Sequence, residues 1–126
     1  MKMINGAKVL FDTNILIDYL NEVTQAKATL KQNRGAAICP ITWMEVMVGT
    51  PKEKERATRA FLGSFRLFPF DDRIYEEAVT LRKKYGMRLP DALVYATARV
   101  YKHVLTTRNT KDFSDKEPDI TIPYRL

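Results

Sequence analysis

Acidic side chains follow apolar segments at several separated points of this chain, and together they could bind a metal ion. Asp12 ends the apolar run that opens VLFDTNILIDYL, and Asp91 follows Pro90 in LPDALVYATA. Glu45 lies in ITWMEVMVG, and Asp112 lies three residues after Asn109 in LTTRNTKDF. Clustered carboxylates raise one another's pKa unless a cation compensates their charge. If the fold brings these acids together, a metal site is the expected chemistry.

Each acid also has an ordinary structural interpretation. Asp12 has the residue type of a helix N-cap. Thr42 and Glu45 match the S/T-x-x-E capping box, in which the glutamate bonds back to the backbone of the threonine. Asp91 falls in the first turn of a predicted helix, where the helix dipole favours any acid. Asp112 could cap a loop or lie in solvent, so no acid identifies a site when it is taken alone.

The donor types restrict the metal. The chain has one cysteine, Cys39, and one histidine, His103, so a thiolate or paired-imidazole zinc site is unsupported. Hard carboxylate oxygens suit Mg²⁺ or Mn²⁺, which can activate water for the hydrolysis of phosphate esters. The single cysteine also fits a reducing compartment, and we expect a cytoplasmic location.

Apolar spacing and turn residues predict alternating strands and helices along a single domain, residues 1–126. The predicted strands are Lys8–Phe11, Ala36–Cys39, Phe65–Phe70, Val104–Thr106 and Ile120–Ile122. The predicted helices are Asn14–Leu20, Thr24–Asn33, Thr42–Val48, Lys52–Leu62, one from Asp71 or Asp72 to Tyr85, and one from Pro90 to about Lys102. Thr13 or Asn14 is the expected cap of the first helix.

Strands separated by helices predict a three-layer α/β/α domain with a central, mainly parallel sheet. Ligand sites in such sheets form at the carboxyl ends of the strands. Each acid either follows a predicted strand or starts a helix, so all of them are expected near one edge of the sheet.

The formal net charge of +6 fits an anionic partner such as nucleic acid, and it equally fits simple solubility. Arg88, Arg108 and Lys111 are the cations expected beside the acids, where they could contact a phosphate backbone. A nucleic-acid-binding domain without catalysis is the alternative function. It would explain the charge but not the acids, which would repel RNA unless a metal neutralised them.

The ordered segments VLFDTNILIDYL, ITWMEVMVG, LPDALVYATA and LTTRNTKDF resemble the PIN-domain ribonucleases, and most closely the VapC-type toxins of toxin–antitoxin pairs. Residue by residue, Asp12, Glu45 and Asp91 match the acids of that family's active site. Some family members have their fourth acid where this chain has Asn109, and others have it at the position of Asp112.

The resemblance implies a metal-dependent endoribonuclease that acts as a toxin. Asp12, Glu45, Asp91 and Asp112 would hold one or two Mg²⁺ or Mn²⁺ ions, and Thr13, Asn14 and Asn109 would orient the ligands or the phosphate. The resemblance further implies a homodimer and a cognate VapB-like antitoxin that covers the site.

Overall fold

A computed structural model of the chain describes residues 8–126. Residues 1–7 of the predicted domain lie outside the described residues. The strands are β1 (Val9–Phe11), β2 (Ala37–Ile38), β3 (Arg66–Leu67), β4 (Val104–Thr106) and β5 (Ile120–Thr121). The helices are α1 (Thr13–Leu20), α2 (Thr24–Gln32), α3 (Pro40–Val48), α4 (Glu55–Leu62), α5 (Asp72–Tyr85) and α6 (Leu89–Val100), with a 3₁₀ turn at Lys52–Lys54.

The strands form one sheet in the order β3-β2-β1-β4-β5, and every neighbouring pair is parallel. Strand β1 lies at the centre, where Leu10 pairs with Ala37 of β2 on one side and with Leu105 of β4 on the other. Helices cover both faces of the sheet, so the predicted three-layer α/β/α architecture with a central parallel sheet is confirmed.

Alternate residues of the central strand pack into two separate cores. Leu10 belongs to the core that is shared with α5 and α6. Phe11 points to the other core, which contains buried residues of α1, α3 and α4. Because successive strand side chains point to opposite faces, a strand that is apolar at both positions is buried on both sides. Strand β1 therefore brings Asp12 to the end of a fully covered strand.

Most predicted helix ends are close to the observed ends. Asp71 caps α5 by accepting a hydrogen bond from the main-chain N–H of Ile74 at 3.1 Å. Gly86 ends that helix in the left-handed conformation, at a φ of 69°, which glycine adopts without a Cβ penalty. No helix within residues 8–126 combines the length and apolarity that crossing a bilayer requires.

Some predicted boundaries were wrong. Helix α3 begins at Pro40, so Thr42 lies inside the helix and is not its cap, and the capping-box interpretation fails. The strand predicted at Phe65–Phe70 is limited to Arg66–Leu67; Pro69 lacks the N–H that a continuing ladder needs. Helix α6 begins at Leu89, one residue before the expected Pro90.

Candidate active site

The acids lie at the carboxyl edge of the sheet, beside β1, where the direction in which successive strands are added to the sheet reverses. Strand β1 leads through α1 and α2 to β2 on one side, while β4 lies on its other side. The main-chain N–H of Asp12, directly after β1, donates to the carbonyl of Thr106 at the end of β4, at 3.0 Å. A crevice forms at such a topological switch point in open parallel sheets, and ligands bind there.

Asp12 is a buried carboxylate held by several donors. Asp12 is only 7% exposed. Oδ1 accepts from the main-chain N–H of Thr13 at 2.8 Å, which makes Asp12 the N-cap of α1 in place of the expected Thr13 or Asn14. Oδ2 accepts from the hydroxyl of Thr107 at 2.7 Å and from the amide of Asn14 at 3.3 Å. Asp12 is therefore both a helix cap and part of the wall of the crevice.

Burial raises the pKa of Asp12, because the charged form loses its hydration. Hydrogen bonds from Thr107 and Thr13 oppose this shift, whereas the charges of Asp91 and Glu45 add to it. The three acids are thus close enough to interact electrostatically. A cation among them would relieve both the desolvation and the repulsion.

Glu45 lies on α3 and reaches across to α1. Its Oε1 accepts a hydrogen bond from the hydroxyl of Thr13 at 2.6 Å, and that same hydroxyl lies 3.1 Å from the hydroxyl of Thr42. The Glu45 carboxylate is therefore held from α1 by the hydroxyl of Thr13.

Asp91 lies in the first turn of α6 and is paired with Arg88. Arg88 Nε and Nη2 each lie 3.2 Å from Asp91 Oδ2, and Nη2 also lies 3.8 Å from Asp112 Oδ2. Burial raises the pKa of Asp91, and the charges of Asp112 and Glu45 raise it further, while Arg88 lowers it. The arginine is therefore the counter-ion of two acids of the cluster.

Asn109 and Asp112 occupy one turn and contact each other. Asn109 Nδ2 donates to Asp112 Oδ2 at 2.9 Å, and Asp112 N donates to Asn109 Oδ1 at 3.1 Å. The main-chain N–H of Phe113 closes the turn on the carbonyl of Asn109 at 3.1 Å. The turn directs Asp112 back toward Arg88 and Asp91, while the Asn109 side chain is occupied in holding Asp112.

The donor chemistry of this cluster fits a hard divalent cation. The cluster offers carboxylate oxygens from Asp12, Glu45, Asp91 and Asp112. Oxygen ligands of this kind are the ones that Mg²⁺ and Mn²⁺ prefer. No three Asp, Glu, His or Cys side chains in residues 8–126 form a preassembled metal cage. In this structure Asp91 and Asp112 instead contact Arg88, and Glu45 contacts Thr13.

The expected RNA-binding cations differ in what they contact. Arg88 and Lys111 line a groove of about 700 Å³ that also includes Asp91, Asp112 and Asn109. Arg108 instead directs its guanidinium into the protein, where Nε and Nη2 bond the carboxylate of Asp18 at 2.6 and 3.0 Å. The geometry therefore favours Arg88 and Lys111 over Arg108 as phosphate contacts.

Sequence reasoning missed Thr107, Asp18 and Tyr124. Thr107 is fully buried and directly follows β4, so its position after a strand was the signal that could have identified it. Asp18 is one turn from Asn14 on α1, and Tyr124 reaches it from the C-terminal segment. No local pattern in the sequence links these two residues, which are far apart along the chain.

Comparison with known proteins gives a consistent set of similarities. A family model described as the PIN domain matches residues 9–117. A chain in a toxin–antitoxin complex from Klebsiella pneumoniae is 44% identical, with a TM-score of 0.89 over 94% of this chain and 99% of that chain. A comparison with curated proteins found no match.

Two more distant structures share the fold. A chain of FitAcB from Neisseria gonorrhoeae is 24% identical, with a TM-score of 0.72 over 94% of this chain and 99% of that chain. A chain of VapBC2 from Rickettsia felis, solved bound to a DNA fragment from its promoter, is 20% identical, with a TM-score of 0.75 over 94% of this chain and 98% of that chain.

Proposed function

Because this chain belongs to the PIN-domain family, we propose that it is a metal-dependent endoribonuclease that acts as the toxin of a type II toxin–antitoxin pair. The observation that carries the proposal is the convergence of acids around the buried Asp12 at the switch point of the sheet. Asp12 is buried and the charges of Asp91 and Glu45 raise its pKa further, which is costly to a fold, so the presence of this carboxylate at a ligand crevice is best explained by a function.

The chain's own residues divide the work of holding the metal and the RNA. Asp12, Glu45, Asp91 and Asp112 would hold one or two Mg²⁺ or Mn²⁺ ions, some through water. When bound, the metal would supply an activated water at neutral pH and stabilise the leaving oxygen of the phosphodiester.

Hydrogen bonds fix one ligand before substrate arrives. Thr107 and Asn14 hold Oδ2 of Asp12, so the carboxylate needs little reorganisation to bind a cation. Burial of Asp12 keeps bulk water away from that side of the site. Lys111 and Arg88, on the wall of the groove, would contact the phosphates of the RNA backbone.

The proposed partners follow from the similar proteins. The structure from Klebsiella pneumoniae is of a toxin–antitoxin complex, and by similarity we propose a VapB-like antitoxin for this chain. The resemblance to VapC-type toxins is also the basis on which we propose a homodimer. We propose a cytoplasmic location because an RNA-cleaving toxin needs access to cellular RNA. Copurification with the product of a neighbouring short reading frame would test the antitoxin.

The second candidate is a nucleic-acid-binding domain without catalysis, which the net charge of +6 favours. This candidate leaves the acids unexplained, because carboxylates in the groove would repel a phosphate backbone. It predicts RNA binding without cleavage in every metal condition.

One experiment separates the two candidates. The purified chain is incubated with structured RNA in EDTA and then with Mg²⁺ or Mn²⁺ restored, and the products are resolved on a denaturing gel. We expect cleavage only with the divalent cation. Undiminished cleavage in EDTA would refute the metal mechanism, and binding without cleavage in all conditions would favour the second candidate. Glu53→Gln, which alters an exposed acid on the Lys52–Lys54 turn, is the control for a general effect of charge.

A further inference from the structure

A second buried carboxylate, Asp18, lies on α1 and takes no part in the proposed metal site. Asp18 is only 5% exposed. Its carboxylate receives Arg108 Nε at 2.6 Å on Oδ2, Arg108 Nη2 at 3.0 Å on Oδ1, and the Tyr124 hydroxyl at 2.8 Å on Oδ2. Burial of a charge destabilises the folded state unless the charge is paired and its hydrogen bonds are complete.

Arg108 is fixed by this cluster at both its side chain and its main chain. The two-pronged contact with Asp18 uses the planar fork of the guanidinium, which a lysine cannot reproduce. The main-chain N–H of Arg108 donates to Oδ1 of Asn14 at 3.0 Å. The cluster therefore anchors the segment that follows β4 onto α1.

The anchored segment and α1 together carry the groups that hold Asp12. Asn14 Nδ2 contacts both Asp12 Oδ2, at 3.3 Å, and the Thr107 hydroxyl, at 3.2 Å. The Thr107 hydroxyl donates to Asp12 Oδ2 at 2.7 Å and accepts from the main-chain N–H of Asn109 at 3.0 Å. A continuous set of hydrogen bonds thus leads from Tyr124 through Asp18 and Arg108 to the proposed metal ligand.

We propose that Asp18, Arg108 and Tyr124 are positioning residues that fix the segment after β4 so that Thr107 and Asn14 hold Asp12 in its metal-binding orientation. The inference rests on the proposed nuclease function. It assigns Arg108 a role inside the protein, whereas the sequence alone suggested an RNA contact. The two roles predict different responses to the same substitutions.

The test compares Asp18→Asn, Arg108→Lys and Tyr124→Phe in the full chain. Partners that orient metal ligands are worth about 10- to 100-fold in metal affinity or activity when they are removed. We expect Asp18→Asn and Arg108→Lys each to lower kcat and Mn²⁺ affinity by about that factor, with KM for RNA unchanged. The double variant should be no worse than the poorer single variant, because both changes break one contact.

Asp18→Asn is the most informative variant, because it removes the charge and one of the two acceptor oxygens that hold the guanidinium of Arg108. If Arg108 were only an RNA contact, Asp18→Asn would leave kcat and Mn²⁺ affinity unchanged and would preserve or strengthen RNA binding, whereas the positioning role predicts a loss of both kcat and Mn²⁺ affinity. RNA binding is measured at several salt concentrations in an Asp91→Asn background, which is expected not to cleave. The slope of the logarithm of the RNA-binding constant against the logarithm of the salt concentration should be unchanged by Arg108→Lys and by Arg108→Gln. A slope that falls by about one phosphate contact in Arg108→Gln would overturn the proposal.

Two further variants provide a milder change within the cluster and a control outside it. Tyr124→Phe removes one hydrogen bond and little volume, so it tests the cluster if the other variants do not fold, and we expect a smaller, several-fold loss of Mn²⁺ affinity. Glu22→Gln breaks the exposed Glu22–Lys27 ion pair, which lies outside the cluster, and should leave kcat unchanged.

Failure of this inference is distinguishable from failure of the proposed function. Wild-type chain that neither binds Mn²⁺ nor cleaves RNA would overturn both. Wild-type chain that does both, alongside folded cluster variants with unchanged kcat and Mn²⁺ affinity, would overturn only the positioning role. Circular dichroism and thermal melting establish which variants are folded at the assay temperature.

Discussion

On the β1 side of the candidate site, Asp12 is 7% exposed and is held by neutral donors from Thr13, Asn14 and Thr107. On the α6 side, Asp91 is held by Arg88, whose side chain is 76% exposed. The first side is built from hydrogen bonds between buried and half-buried groups of the packed interior. The second depends on a long, charged side chain that solvent can reach.

This contrast indicates how the site can be both stable and open to a cation. Buried hydrogen bonds to a carboxylate are strong and costly to leave unmade, so they hold Asp12 in one orientation. Exposed ion pairs contribute little and exchange readily. We therefore expect the β1 side to be preorganised for metal and the α6 side to rearrange when metal binds.

The largest effect is expected for Asp12→Asn. The substitution removes the charge at the centre of the cluster and keeps the size and capping ability of the side chain. Cleavage should fall by more than about 100-fold, since the loss of a ligand exceeds the ~10- to 100-fold cost of losing its partners. Gel-based cleavage rates with Mg²⁺ and thermal melting without metal are the measurements. A variant that is inactive only because it has unfolded would contradict the prediction.

Asp91→Asn makes the same test on the other side of the site. It should also abolish cleavage, while the fold remains intact because Asp91 is less deeply buried than Asp12. Retention of substantial activity in Asp91→Asn, with Asp12→Asn inactive, would mean that the α6 side is dispensable for the chemistry.

A smaller effect is expected for Thr107→Val, which removes the hydroxyl and keeps the shape. The hydroxyl contacts Asp12, Asn14 and the main chain of Asn109. We expect a loss of about 1–3 kcal/mol in the free energy of unfolding and about 10- to 100-fold in cleavage. The matched control is Thr106→Val, a change of the preceding buried threonine, whose hydroxyl takes no part in this hydrogen-bond set and whose main-chain carbonyl, which accepts from Asp12, is kept. Equal losses in the two variants would contradict a specific role for Thr107.

A smaller effect, on Mn²⁺ binding, distinguishes Asp112 from Asn109 as the fourth site residue. Asp112 carries a charge and lies 3.8 Å from Arg88, whereas Asn109 is neutral and bonds Asp112. Asp112→Asn should weaken Mn²⁺ binding by up to about tenfold, and Asn109→Ala should weaken it less. Calorimetric titration of both variants measures this order. The reverse order would identify Asn109 as the fourth site residue and Asp112 as a loop residue.

The fold was largely predictable from the sequence, because its signals are local. Apolar runs ended by Asp12 and Pro40, and a helix bounded by Asp71 and Gly86, gave the alternation that a parallel sheet requires. The predicted fold class and the resemblance to PIN-domain toxins are both confirmed. The short β3 was overestimated, because the pattern does not reveal how far a ladder continues before a proline.

The interior of the site was less predictable. The identities of the acids came from the motifs, and their proposed roles remain predictions. The contacts that hold them join residues about 90 positions apart, such as Asp12 with Thr107 and Asp18 with Arg108. Arg108 also illustrates the limit directly: its sequence neighbours suggested a phosphate contact, and only the packing of α1 revealed a buried acceptor.

The smallest expected effect is an increase in Mn²⁺ affinity, and it comes from substituting Arg88 on the exposed side of the site. Arg88 neutralises Asp91 and Asp112 and so competes with a cation for their oxygens. Arg88→Gln removes that competition, and it also removes a positive charge that would repel the metal. Because an exposed ion pair is weak, Mn²⁺ affinity measured without RNA should rise by only about two- to fivefold.

Two companion variants separate the contact from the charge. Arg88→Lys keeps the charge but loses the two-pronged geometry, so its Mn²⁺ affinity should fall between those of the wild type and Arg88→Gln. Lys83→Gln removes an exposed cation in the last turn of α5 and should leave Mn²⁺ affinity unchanged. If Arg88→Gln instead lowers Mn²⁺ affinity, the arginine supports the acids rather than competing for them. The α6 side would then be preorganised like the β1 side, and the contrast between the two sides would not hold.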